Sequence, residues 1–166
     1  MSDQMSRNLF KPGSESAAIL HAWWKGLEDQ KGERAALRRT PSPSEVVFSP
    51  AYHRLFRTLP INRVRLASVA GLVSHIKEDT GTPKSLPQQM ASPKIVGGNA
   101  IVSGLRFRRI LAISDKDALY PLMIRIIRLL GGRLNLLSLA ESVYWWNERV
   151  WKDWAYDYYA MAPKEK

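Results

Sequence analysis

The side chains of this 166-residue chain best suited to chemistry are its arginines. They recur as Arg34, Arg38, Arg39, Arg54 and Arg57, then as Arg106, Arg108, Arg109, Arg125, Arg128 and Arg149. A guanidinium offers a planar fork of donors that fits two phosphate oxygens at once, and it tolerates partial burial better than an ammonium. Spread over several segments, such residues suggest a track along a phosphate backbone rather than one recognition helix in a groove. Each arginine also has a plain reading as part of a solvated helix face. Arg38 and Arg39 can simply cap a helix C-terminus, where cations are favoured. Repetition with few acids tips the balance. Lys and Arg number 25 against 15 Asp and Glu, a formal charge of +10, which favours nucleic acid first and an acidic membrane surface second.

Other chemistry finds little support. Cysteine is absent, so there is no disulfide, thiolate nucleophile or cysteine zinc site. His21, His53 and His75 stand apart without metal-ligand spacing, and His75 reads as a surface or satisfied core histidine. Asp115 and Asp117 could pair on a metal, but they flank Lys116 at a helix start, where capping explains them. Glu141 and Glu148 read as outward solubilising residues. No phosphate loop, dinucleotide fingerprint or nucleophile elbow occurs. Neither catalysis nor a cofactor or metal is expected. No apolar run approaches a membrane span, and the start MSDQMSRNLFKPGSES lacks a signal-peptide core, so a cytoplasmic location is expected.

Helices must position these arginines. Residues 1–13 read as a flexible leader ending in a Pro-Gly turn. Ser14 or Ser16 can cap a helix carrying Ile19, Leu20, Trp23, Trp24 and Leu27. The two tryptophans cannot share one narrow stripe, so one packs in the core and the other on a neighbouring helix or a partner subunit. A short helix over Glu33–Arg39 stops at Thr40-Pro41-Ser42-Pro43, and Ser49-Pro50 opens another anchored by Tyr52, Leu55 and Phe56. From Asn62 to Lys77 the stripe Leu66, Val69, Ala70, Val73 and Ile76 predicts an amphipathic helix, with Gly71 permitting close packing. The Pro/Gly-rich stretch 79–98 reads as a connection, with room for a short helix around Leu86 to Ala91.

Beyond it, a helix from about Asn99 to Ile113 turns Phe107, Ile110 and Leu111 inward, with Arg108 and Arg109 outward and Arg106 beside them. Ser114 and Asp117 have capping-box spacing for the next helix, with Pro121 in or near its first turn. Its stripe is Leu119, Leu122, Met123, Ile126 and Leu130, with Arg125 and Arg128 on the far side and Gly131-Gly132 as the stop. Asn135 or Ser138 starts a last helix towards Tyr159, with room for a kink. Its core stripe is Leu139, Val143, Trp146, Val150, Trp154 and Tyr158. Tyr144, Trp145, Trp151, Tyr156 and Tyr159 fall outside it and must face another helix, a partner or nucleic-acid bases. The chain reads as all-α: two helical bundles, 14–78 and 99–160, joined by 79–98.

At this point the sequence resembles the CasB family, the small subunit of the type I-E CRISPR surveillance complex Cascade. The resemblance spans about Ala17 to Tyr159. It rests on Ala22-Trp23-Trp24-Lys25-Gly26-Leu27, Arg34-Ala35-Ala36-Leu37-Arg38-Arg39 and Pro50-Ala51-Tyr52-His53-Arg54-Leu55, in that order. Phe107-Arg108-Arg109-Ile110-Leu111, Arg128-Leu129-Leu130, Trp145-Trp146 with Arg149, and Trp154-Ala155-Tyr156-Asp157-Tyr158-Tyr159 follow. The resemblance implies a non-catalytic subunit that pairs with a second copy and contacts the backbone subunits, the large subunit, the guide RNA and the target DNA. There it would stabilise the R-loop and guide the displaced strand. It carries Arg38, Arg39, Arg54, Arg128 and Arg149 over as nucleic-acid contacts, and the helical-wheel reading adds Arg106, Arg108, Arg109 and Arg125. The alternative is a free-standing basic helical DNA- or RNA-binding protein such as a regulator, which a sharp sequence preference would reveal.

Overall fold

A computed structural model describes residues 8–81 and 83–164. Among them, ten α-helices and two short strands follow in order. They are α1 Glu15–Gly26, α2 Lys31–Arg38, α3 Pro43–Val46, α4 Pro50–Thr58, α5 Arg63–Val73, β1 Glu78–Asp79 and α6 Leu86–Ala91. Then come α7 Gly104–Leu111, α8 Lys116–Leu129, β2 Arg133–Leu134, α9 Leu136–Tyr144 and α10 Glu148–Met161. The protein is all-α in character; β1 and β2 pair in parallel over two residues each.

Helix α5 lies at the centre. The amphipathic stripe expected of it is too narrow a description, because every residue from Leu66 to Val73 is buried. It packs against α9, α3, α8, α4 and α2, and a helix enclosed on all sides needs apolar or small residues all round. Gly71 fits that demand. A Cβ there would collide with Tyr120 Oη of α8 and sit 2.9 Å from Val46 Cγ2 of α3, so the glycine permits the close approach.

Capping follows the sequence at most helix starts. Ser14, Asn62, Ser103, Asn135 and Asn147 each accept a backbone N–H with the side chain, and Ser85 forms a full capping box with Gln88. Ser16 has another duty: buried, its hydroxyl accepts from Phe10 N at 2.8 Å. Helix α7 is shorter than expected, starting at Gly104 because Ser103 is its cap. The cap of α8 is Asp115, which accepts from Asp117 N, and not Ser114. Pro121 accordingly falls in the second turn of α8, where it removes a hydrogen bond to the Asp117 carbonyl. At the other end, Gly131 and Gly132 both take positive φ; Gly132 N bonds Ile127 O and Gly131 N bonds Arg128 O. That pairing is a Schellman stop.

The stripe of α8 is rotated from its expected position. Leu119, Met123 and Ile126 are buried, joined by Tyr120 and Ile127, while Leu122 and Leu130 are half-buried. The last helical stretch is broken at Trp145–Asn147 into α9 and α10, yet Leu139, Val143, Trp146, Val150, Trp154 and Tyr158 all remain in the core. Trp24 is buried and donates to Ile76 O, and Trp23 donates to Ala51 O on α4, so the two tryptophans divide as expected between core and neighbouring helix. Of the leader, residues 1–7 lie outside the described residues. Leu9 and Phe10 are buried rather than loose, with Phe10 edge-on to Tyr144. Segment 79–98 carries the buried helix α6, which packs on α10.

Candidate nucleic-acid interface

Arg34 and Arg38 are one turn apart on α2 and therefore share a face. Both reach the chain just beyond the C-terminus of α5: Arg34 Nε and Arg38 Nε donate to Ser74 O at 3.3 and 2.8 Å, and Arg34 Nη2 donates to Ile76 O at 2.6 Å. Carbonyls at a helix end are short of partners and carry the negative end of its dipole, which holds the cations there. Burial, and then Arg34, lower the Arg38 pKa, a sign that the two charges are crowded.

His75 sits in the same place. It is half-buried, and its Nε2 is buried with no hydrogen-bond partner. Its pKa drops from 6.5 to about 4, through burial first and then through Arg38, Arg128 and Arg34. The imidazole is therefore neutral at physiological pH, and three guanidinium groups lie within electrostatic reach of it. Arg128 comes from the last turn of α8, and Arg39 is the exposed C-cap of α2. Lys77 packs its stem near Gly132 beside them. Among the described residues no carboxylate pairs with Arg34, Arg38, Arg39 or Arg128; the nearby Glu78 is bound by Arg133 at 2.8 Å.

The remaining arginines have other settings. Arg106, Arg108 and Arg109 are exposed on α7, and Arg108 Nη1 donates to Tyr159 Oη at 3.3 Å. Arg125 is exposed in the middle of α8. Arg54 is held by Glu33, with Nη2 2.7 Å from Oε2, and also donates to Gln30. Arg149 lines a cleft with Glu141, Asp153 and Asp157. So the fold brings Arg38 and Arg128 together, with Arg39 next to Arg38 at the helix end, and keeps the α7 trio on one helix, while Arg54 and Arg149 stand among acids.

Three members of the cluster were not among the candidates: Arg34 as a site residue, His75 and Lys77. The i,i+4 spacing of Arg34 and Arg38 was the readable signal for the first. Nothing local in the sequence signals the other two. Arg65 was also passed over. It lies 5.6 Å from the Tyr144 ring and 5.4 Å from the Trp145 ring, and burial first, then Arg65, lowers the pKa of Lys116, a donor to Tyr144 O, to about 8. Tyr144, Trp145 and Trp151 are thus used in protein packing, whereas Tyr156 and Tyr159 are exposed. Asp115 is occupied as a cap, and among the described residues no group of three or more His, Cys, Asp or Glu could hold a metal. Among them, too, no helix is long and apolar enough to cross a membrane.

Comparison with known proteins adds to this geometry. A family model described as CRISPR-associated protein Cse2 matches residues 33–159. Among solved structures, the chain is similar to a chain of the crystal structure of E. coli Cascade bound to a PAM-containing double-stranded DNA target. The TM-score is 0.69 at 20% identity, over 89% of this chain and 95% of that one. At that identity the likeness speaks for the fold. No curated protein matches.

Proposed function

The chain belongs to the CRISPR-associated protein Cse2 family, which is the CasB family, and from that premise we propose that it is a non-catalytic subunit of a type I-E Cascade complex that stabilises the R-loop. In this role it lies against the backbone subunits, the large subunit and a second copy of itself, and its guanidinium groups hold phosphates of the displaced strand. The observation that carries the reading is the meeting of Arg34, Arg38 and Arg128 around His75 without a carboxylate partner among the described residues. Cations that merely decorate a surface are usually interspersed with acids. Here three are gathered from two helices, and Arg34 and Arg38 are anchored on backbone carbonyls with donors left over for an anion. Arg39, at the end of α2, and the α7 trio Arg106, Arg108 and Arg109 extend the basic surface, with Arg125 on α8.

Base pairing supplies the sequence information in an RNA-guided complex, and exchanging a DNA duplex for a hybrid is nearly balanced in free energy. A few phosphate contacts to the displaced strand are then enough to set the lifetime of the open state. The test is a complex reconstituted with Arg38→Glu and Arg128→Glu. R-loop lifetime at physiological salt should shorten on the order of tenfold, with complex assembly unchanged. An unaltered lifetime in a fully assembled complex would remove the cluster from the binding surface.

A further inference from the structure

We propose that the cleft beside α7 and the end of α10 is a stacking site for an unpaired nucleobase, with Tyr159 as its platform. The inference deepens the proposed role in holding a displaced strand, and rests on it.

Tyr159 is half exposed, at 50%, yet its ring is firmly set. It stands edge-on to Phe107 at 5.8 Å and to Tyr158 at 5.2 Å. Those two rings stack on each other at 4.0 Å and 7°, and Tyr158 Oη donates to Val102 O at 2.6 Å. Arg108 Nη1 donates to Tyr159 Oη, which ties the phenol to a cation. Beside this ring lies a cleft of about 820 Å³ walled by Leu105, Ala162 and Pro163 and edged by Arg108 and Lys164. Its size falls within the range of small-molecule pockets, roughly 300–1,000 Å³.

The chemistry matches one nucleotide in two parts. A base is flat, with apolar faces, and suits the ring together with the 55%-exposed Leu105; its phosphate suits Lys164 at the rim. Among the described residues no carboxylate lines this cleft. The cleft that contains Arg149 makes the contrast: Asp153 and Asp157 line it, together with Glu141, which is bound by Lys11. Stacking on an aromatic platform requires a free base face, which a paired base inside a duplex does not offer. The site therefore selects single strand over duplex, something a phosphate cluster alone does weakly.

The full-length protein would be titrated with labelled single-stranded oligothymidine, with an abasic strand of equal length, and with duplex. Wild type should bind the base-bearing strand on the order of tenfold more tightly than the abasic one. Tyr159→Leu should abolish that preference, and Tyr159→Phe should keep it. Photocrosslinking of wild type with an iodouracil-substituted strand should place the adduct on Tyr159, an arm independent of how the variants fold. Equal binding of base-bearing and abasic strands, or crosslinks mapping elsewhere, overturns the stacking site while the phosphate-binding function stands. So does loss of complex assembly in Tyr159→Leu with the base preference intact, which would make the cleft a protein-docking face. Wild type that binds no strand at all would instead overturn the proposed function, and the inference with it.

Discussion

His75 shows how a single residue can tie stability to the basic surface. Burial and the charges of Arg38, Arg128 and Arg34 keep its folded-state pKa near 4, against 6.5 for a free imidazole. Between these values the unfolded chain binds more protons than the folded one, so stability rises with pH across that window. His75 therefore withdraws no stability above about pH 6.5, progressively more as pH falls towards 4, and nothing further below that. His75→Leu removes both the proton site and the unpartnered Nε2. Denaturant midpoints measured from pH 7.5 down to 4.5 should fall further for wild type than for the variant, which is less sensitive to acid. Parallel pH profiles would show that folding does not lower the pKa of this imidazole.

At the scale of the helix, the tightest constraint is the crossing of α5 with α8. Gly71→Ala introduces a methyl group into space held by Tyr120 Oη and Val46 Cγ2, and overpacking of this kind costs about 1–3 kcal/mol. Tyr120→Phe removes the colliding oxygen and with it a contact to Thr40 Oγ1 at 3.3 Å. The double variant should recover part of the loss, since the Val46 contact remains. A double-mutant cycle from urea unfolding measures the coupling, and strict additivity would refute the close approach. The glycine was readable in the sequence because it interrupts an apolar run; its partner on α8 was not. Some caps were legible from a short polar residue before a periodic segment, as at Asn135, whereas Ser49 holds the cap position without a side-chain hydrogen bond. Asp115 was missed because Ser114 and Asp117 offered competing spacing. The stripe of α8 was misplaced because Tyr120 and Ile127 look no different from half-exposed Leu122 and Leu130 until the neighbouring helices are in position. Leu9 and Phe10, too few to form a periodic pattern, gave no sign that a distant aromatic, Tyr144, would bury Phe10.

For the molecule as a whole, a charge of +10 draws polyanions without saying where they bind. The fold sorts its arginines by what faces them, and that sorting yields a quantitative expectation. A cation that replaces a counterion on single-stranded nucleic acid contributes about 0.7 to the slope of log affinity against log salt concentration. Arg38 and Arg128 have no carboxylate partner among the described residues, whereas Arg54 is already neutralised by Glu33. Arg38→Ala and Arg128→Ala should each reduce the salt slope for a single strand by about 0.7, and together by about twice that. Arg54→Ala should leave the slope unchanged and cost ~0.2–1 kcal/mol of stability, the usual worth of a partly exposed ion pair. Titrations at four or five salt concentrations separate these cases, because a variant that merely unfolds loses affinity at every salt without this graded change. Equal slope losses from Arg54 and Arg38 would mean that net charge governs binding and that the grouping of arginines by the fold has no part in it.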